Sequence, residues 1–298
     1  VDDLVAGDLT VVGSGALSAL TQDSGNGAVW TATFTPTADI EDASTVVQLT
    51  ASGITDAAGN TGAGVVSSSN VDIDTLAPTA SIALGKSALK AGETTDVTVS
   101  FSEAVTGFDA SADLSVTSGA GTLGSFTSTD GGLTYVGTFT ASNSVSQTGN
   151  TITLANTGVA DAAGNAGTGT TVSAAFDTDG VRPTVSSIVL SDTSLSAGET
   201  TTVTITFSEA VSGLSVGDFS VENGALTGLS TSDSGTTWTA TFTPTADVED
   251  ASNLITLAAE SVLDAAGNTN AAAANSGSYA IDTLRPTASV TLDKASLK

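Results

Sequence analysis

The side chains able to do chemistry in this 298-residue chain are almost all carboxylates: Asp and Glu number 32, Lys and Arg six, and His and Cys are absent. That removes imidazole bases, thiolate nucleophiles and His/Cys zinc sites together. The formal net charge of -26 also disfavours a nucleic-acid or anionic-membrane partner, which needs a basic surface. Three carboxylate settings recur. Asp161 and Asp264 open Asp-Ala-Ala-Gly-Asn segments, as Asp56 does earlier; Glu103 and Glu209 sit in Ser-Glu-Ala-Val; and Asp72, Asp74, Asp177 and Asp179 precede Pro78 and Pro183. Taken singly, each has a plain structural reading: an Asp capping a turn beside a Gly of positive φ, a solvated loop end, or linker punctuation. Brought together, such hard oxygen donors would repel unless a cation sat among them, and they suit Ca²⁺.

Whether they meet depends on the elements that carry them. The Asp of Asp-Ala-Ala-Gly-Asn recurs at 56, 161 and 264, intervals of 105 and 103 residues, and Pro78, Pro183 and Pro286 keep the same two intervals. Ala-Gly-Glu-Thr (91–94, 197–200) and Phe-Thr-Pro-Thr-Ala-Asp (34–39, 242–247) repeat as well. The markers predict a first repeat at 1–76 lacking its first two strands, complete repeats at 77–181 and 182–284, and the opening strand of a fourth at 285–298. That phasing reads as a cut from a longer tandem array.

Within a repeat the apolar period is two. Val203, Ile205 and Phe207 alternate with Thr, as do Val97, Val99 and Phe101 with polar neighbours. Trp238/Ala240/Phe242 match Trp30/Ala32/Phe34 and Tyr135/Gly137/Phe139; Ile255/Leu257, Ile152/Leu154 and Val47/Leu49 form another set; Val71/Ile73, Val172/Phe176 and Tyr279/Ile281 close each unit. About seven short half-buried strands in about 100 residues predict an all-β chain of tandem immunoglobulin-like antiparallel sandwiches with little helix. Trp30 and Trp238 then read as core aromatics rather than sugar-stacking platforms.

In such a sandwich the incoming linker, the loop after the second strand and the loop after the sixth share one end. The first junction would gather Asp72, Asp74, Glu103 and Asp161, and the second Asp177, Asp179, Glu209 and Asp264. Arg182 is the one nearby counter-charge, and Asn165 and Asn268 offer further oxygens. Ca²⁺ at these domain junctions is the expected cofactor. The acidic loops Asp39-Ile40-Glu41-Asp42 and Asp247-Val248-Glu249-Asp250 read as solvated turns, because the middle repeat has Asn143-Ser144-Val145-Ser146 there.

Ser-Glu-Ala-Val, Trp-Thr-Ala-Thr-Phe-Thr-Pro-Thr-Ala-Asp, Asp-Ala-Ala-Gly-Asn and Ile-Asp-Thr-Leu-Arg-Pro-Thr resemble the bacterial Ig-like repeats of giant secreted adhesins, over essentially the whole chain. The resemblance implies a secreted or cell-surface stalk in biofilm formation or host attachment, exported by a type I system. It also implies junction calcium, carried onto Asp74, Glu103 and Asp161, and onto Asp177, Glu209 and Asp264. The linker Asp177 to Pro183 is two residues longer than Asp74 to Pro78, a departure that unsettles the second site.

The expected function is a non-catalytic structural segment. No Gly-x-Ser-x-Gly elbow or phosphate loop is present, and carboxylates at equivalent places in every repeat read as architecture rather than as a hydrolytic pair. The alternative is a carbohydrate- or ligand-binding Ig-like module of a secreted multidomain protein. The expected partners are adjacent repeats of the same chain, with any cell-surface or glycan ligand bound through other parts of the parent. No apolar run reaches the length of a membrane span, so no direct membrane insertion is expected.

Overall fold

The computed structural model describes residues 3–294 and Ser296. Its second and third repeats show how the Val/Thr alternation becomes a sandwich. In Thr94–Phe101 every second side chain faces inward, and Val97 and Val99 are fully buried. This strand pairs antiparallel with Ala80–Leu84 on one side and Thr134–Ala141 on the other, and Gly121–Leu123 completes the four-stranded sheet.

The opposing layer is built around a chain running Ser146–Asn150 and then Ile152–Ala155. The first half pairs with Phe176–Asp179, which takes Ala88–Lys90 in parallel on its far edge. The second half pairs with Leu114–Val116 and Thr170–Val172. Between the layers Phe139 and Phe176 meet edge to face with centroids 5.1 Å apart, over buried Ile152 and Leu154. The third repeat reproduces the plan around Thr201–Phe207 and Thr237–Pro244, with Phe242 and Tyr279 in the same edge-to-face contact at 5.1 Å. Among the described residues helix is confined to Ala110–Asp113 and a few single 3₁₀ turns, as the period-two pattern requires.

The first repeat has Leu9–Val12, Glu41–Thr50, Val65–Ser67 and Val71–Asp74 as one layer. The other consists of two separate pairs, Gly15–Leu17 with Phe34–Pro36 and Thr21–Asp23 with Asn26–Thr31. Among the described residues nothing in this repeat corresponds to Thr94–Phe101, and only Thr45 and Ile73 become fully buried. The expected opening strand of a fourth repeat runs partly outside the described residues. Its described part, 285–294 and Ser296, lies in no ladder.

Two placements differ from the alternation pattern. Val172 and Phe176 do not share a strand: Val172 lies in Thr170–Val172 and is exposed, while Phe176 is buried in the next strand. Trp30, Tyr135 and Trp238 share the phase of the buried Phe residues but lie nearer the end of the sandwich, where they are half-buried. The Trp238 indole N–H donates to Gly235 O (3.0 Å), a polar tie that suits a ring at the core's rim.

Candidate metal centre at the repeat junctions

Each Asp-Ala-Ala-Gly-Asn segment folds into the same loop, between Ile152–Ala155 and Thr170–Val172 in the second repeat and at the equivalent place in the other two. Asp161 Oδ1 accepts from the Gly164 and Asn165 N–H groups (2.7 and 2.8 Å), Oδ2 accepts from Asn165 Nδ2 (2.8 Å), and Gly164 takes φ +96°. Asp264 and Asn268 repeat this around Gly267 at +87°. The loop-building role of these Asp residues therefore holds, and it is compatible with a second one. Asp161 and Asp264 are 4% and 5% exposed, so they are held rigidly at the domain end.

Glu103 follows Thr94–Phe101 and points into the same region. The last strand of the preceding repeat, Val71–Asp74, brings in Asp74. Carboxylate oxygens of Asp74, Glu103 and Asp161 all lie within 4.8 Å of one another, the one such trio found among the described residues. Burial, then the charges of Asp161, Asp74 and Glu41, holds the Glu103 carboxyl above its ordinary range. Burial would raise Asp161 too, but the Asn165 side chain and the Asn165, Gly164 and Ala163 amides outweigh it and leave it lowered. Anionic oxygens from two repeats, none of them in an ion pair among the described residues, form a donor set that fits a hard divalent cation.

Asp72 is exposed two residues earlier on the strand, outside the trio. Glu41, read from sequence as part of a turn, instead begins the strand Glu41–Thr50 directly opposite Asp74. Glu249 stands opposite Asp282 in the same way in the third repeat. Only the Asp39 and Asp247 ends of those loops are turn-like, with φ 58° and 55°.

At the second junction the register corrects the sequence alignment. Asp179 pairs with Ser146 as Asp74 pairs with Glu41, so Asp179, not Asp177, holds the Asp74 position. Four steps separate Asp179 from Pro183, as they separate Asp74 from Pro78, and the apparent two-residue insertion disappears. The repeated Asp-Thr dipeptide at 177–178 had drawn the alignment off by one pleat period. Asp177 is exposed and accepts from the Gly149 N–H (2.8 Å). Asp179 turns its carboxylate to the Ser146 hydroxyl and the Val181 N–H. Glu209 is raised by burial and by Asp264 and Asp179, yet these three do not close to the spacing of the first trio.

The Asn residues act chiefly as clamps. Asn165 Nδ2 reaches Asp74 O (3.0 Å) and Oδ1 (3.2 Å); Asn268 Nδ2 reaches Asp179 O and Val181 O (3.1 and 3.3 Å). Asn268 Oδ1 accepts from Ala91 N (2.8 Å), so both ends of that amide are engaged by the protein. Arg182 donates to Thr269 O and Oγ1 rather than to a carboxylate.

The sequence pattern described as bacterial Ig-like domain matches residues 1–73, 74–178 and 179–281. The chain belongs to the bacterial Ig-like domain family. Two of its matched segments begin on Asp74 and Asp179, the residues that carry each junction. Among solved structures, the Ig-like chain is similar to the Escherichia coli adhesin FdeC at 16% identity, over 94% of this chain and 88% of that one, with a TM-score of 0.35. Invasin, a bacterial integrin-binding protein, is similar at 15% identity over 84% of this chain and 48% of its own, TM-score 0.33. InvD of Yersinia pseudotuberculosis is similar at 19% identity over 73% and 64%, TM-score 0.28. No curated protein matches the chain. Among the described residues no helix is long and apolar enough to cross a membrane.

Proposed function

We propose that these Ig-like repeats form a non-catalytic stalk segment of a bacterial surface adhesin, stiffened at its junctions by Ca²⁺. The observation that carries the reading is the meeting of Asp74 from one repeat with Glu103 and Asp161 of the next, within 4.8 Å and without a basic partner. A carboxylate trio confined inside one domain would stabilise that domain alone. One shared across a boundary couples the orientation of two domains to the ion. Asp74, Glu103 and Asp161 would hold the cation, with Glu41 adding charge; at the second junction Asp179, Glu209 and Asp264 would do so once Asp179 leaves Ser146. Bound Ca²⁺ supplies the positive charge, and the chain supplies the fixed geometry on either side.

The absence of His and Cys and the recurrence of one loop chemistry in every repeat support structure over catalysis. Extracellular calcium modules bind at about 10⁻⁴–10⁻³ M, so such sites would fill outside the cell and stay empty in the cytosol. This fits a secreted or surface stalk serving attachment to a host or within a biofilm. Calorimetric titration of the chelator-stripped chain with CaCl₂, paired with small-angle scattering, tests it. Saturable binding with a longer maximum dimension is expected. A flat titration and an unchanged scattering profile would overturn the reading.

A further inference from the structure

Away from both junctions, the second repeat carries a groove of about 920 Å³ between its two layers, on the side where each sheet ends. One rim is Leu114–Val116, which pairs only with Ile152–Ala155 among the described residues; the other is Gly121–Leu123, which pairs only with Thr134–Ala141. Both rims are therefore free ladder edges. Phe108, Phe126 and Tyr135 make the floor. Gly137 is what admits Phe126: a Cβ there would fall 2.5–2.7 Å from the ring, and the third repeat has Ala240 at that position. The first repeat has a smaller groove of about 170 Å³ at matching positions, Leu9, Val11, Leu17 and Leu20. A groove at this place thus occurs in both the first and the second repeat, and in the second it is lined by aromatics.

We propose that this groove binds an extended, positively charged peptide segment, added along the free edge of Leu114–Val116 with alternate apolar side chains inserted between the sheets. Free edges pair readily with an incoming strand, and period-two side chains suit a trough between layers. The rings argue against a sugar. Phe108 and Tyr135 lie 4.4 Å apart and tilted by 44°, and Phe126 meets Phe108 edge-on at 6.1 Å, so they pack on each other and present no open flat face. Charge selects the sign of the partner. Asp109 is on the lining, Asp113 closes the adjoining helical turn, and no Lys or Arg lines the groove. A second copy of this chain, at net charge -26, would meet its own repulsion there.

The probe is a fluorescein-labelled octapeptide of alternating Lys and Val, compared with its Glu/Val counterpart and with a Lys/Val peptide interrupted by Pro. Anisotropy with the full chain should show the Lys/Val peptide binding at least tenfold tighter than either control, with amide shifts at Val116 and its neighbours in ¹⁵N spectra. Asp109→Asn keeps the side-chain cap on the Ser111 N–H while removing the charge, and should weaken binding about threefold at low salt. Val116→Lys places a charge on the edge and should abolish binding while circular dichroism and melting confirm the fold. Equal binding of the Glu/Val peptide, shifts confined to other surfaces, or indifference to both variants would overturn the proposal. So would sedimentation showing dimers lost in Val116→Lys without peptide binding, or N-acetylglucosamine tetramer moving the Tyr135 signals when the peptide does not.

Discussion

The two junctions join equivalent repeats through the same loops, yet they hold them in different ways. At the first, Glu41 stands opposite Asp74, and three carboxylates converge with no basic group among them. At the second, Ser146 occupies the Glu41 place and its hydroxyl satisfies Asp179, while Lys90 and Ala91 donate to Gly267 O and Asn268 Oδ1 of the following repeat, whose own Arg182 donates to Thr269. One junction is a set of like charges whose repulsion a bound cation would relieve; the other is already bridged by hydrogen bonds, which an ion would have to displace from Asp179. The exchange of Glu41 for Ser146 opposite the linker Asp is one of the differences that accompany the change.

The largest effect that could break this contrast is calcium removal. An ion binding only the folded junction at hundredfold excess over its Kd adds about 2.7 kcal/mol. Chelator should therefore lower the melting of the first junction's domains by several degrees, and Glu103→Gln should remove that sensitivity. Glu209→Gln should leave most of it in place. Equal losses in both variants, read by scanning calorimetry, would show that the junctions are not different in kind.

Next in size is the clamp. Asn268 is 2% exposed and holds Asp264, Asp179 O, Val181 O and the Ala91 N–H at once. Replacing it with Ala strands buried partners and should cost about 2–3 kcal/mol with or without calcium. Asn165→Ala should cost about 1–2 kcal/mol, and that cost should shrink when calcium is present to hold Asp74. Chemical denaturation of both variants in calcium and in chelator checks the ordering.

A reciprocal exchange sharpens the comparison further. Ser146→Glu rebuilds the first junction's charge arrangement at the second. Without calcium it should destabilise by about 1 kcal/mol, through loss of the hydroxyl bond and added repulsion. With calcium the loss should be recovered, and titration should show a new binding event. If Ser146→Glu gains no calcium response, position 146 does not decide the junction type.

The strands and the sandwich were legible because period-two alternation and a fixed repeat interval are local and redundant signals; Val97/Val99 and Val203/Ile205 occupy the predicted faces. The trio was legible because fold topology, once inferred, places the loop ends together. What escaped was pairing information. Glu41 looked like a solvated loop because nothing in one strand's sequence says what lies across the ladder. Asp177 was preferred to Asp179 because a dipeptide match outweighed the constant distance to proline. The rim position of Trp238 depends on where the sheet ends, which alternation alone does not mark.

The smallest effect is a pH dependence, and its sign separates ion-free from ion-loaded states. In chelator, Glu103 has its proton affinity raised by burial and by Asp161, Asp74 and Glu41. A carboxyl whose folded value lies above its unfolded 4.5 binds protons better when folded, so stability increases as pH falls from neutrality through that raised value and is lost again as pH rises. Asp42 and Asp233 pull the other way lower down. Hydrogen bonds, from Ser44 first for Asp42 and the Thr237 N–H first for Asp233, hold both near about 2, so their contribution disappears only as pH drops from 3.8 toward 2. As pH falls from neutrality toward 4.5, the metal-free chain should therefore become slightly more stable, with Glu209, raised in the same direction, adding to the effect. In saturating calcium the same protons compete with the ion, and stability should fall over that window. Melting curves at pH 7, 6 and 5 read the two signs directly. Parallel slopes in calcium and chelator would mean that Glu103 faces no cation in either state, and that the first junction differs from the second only in its hydrogen bonds.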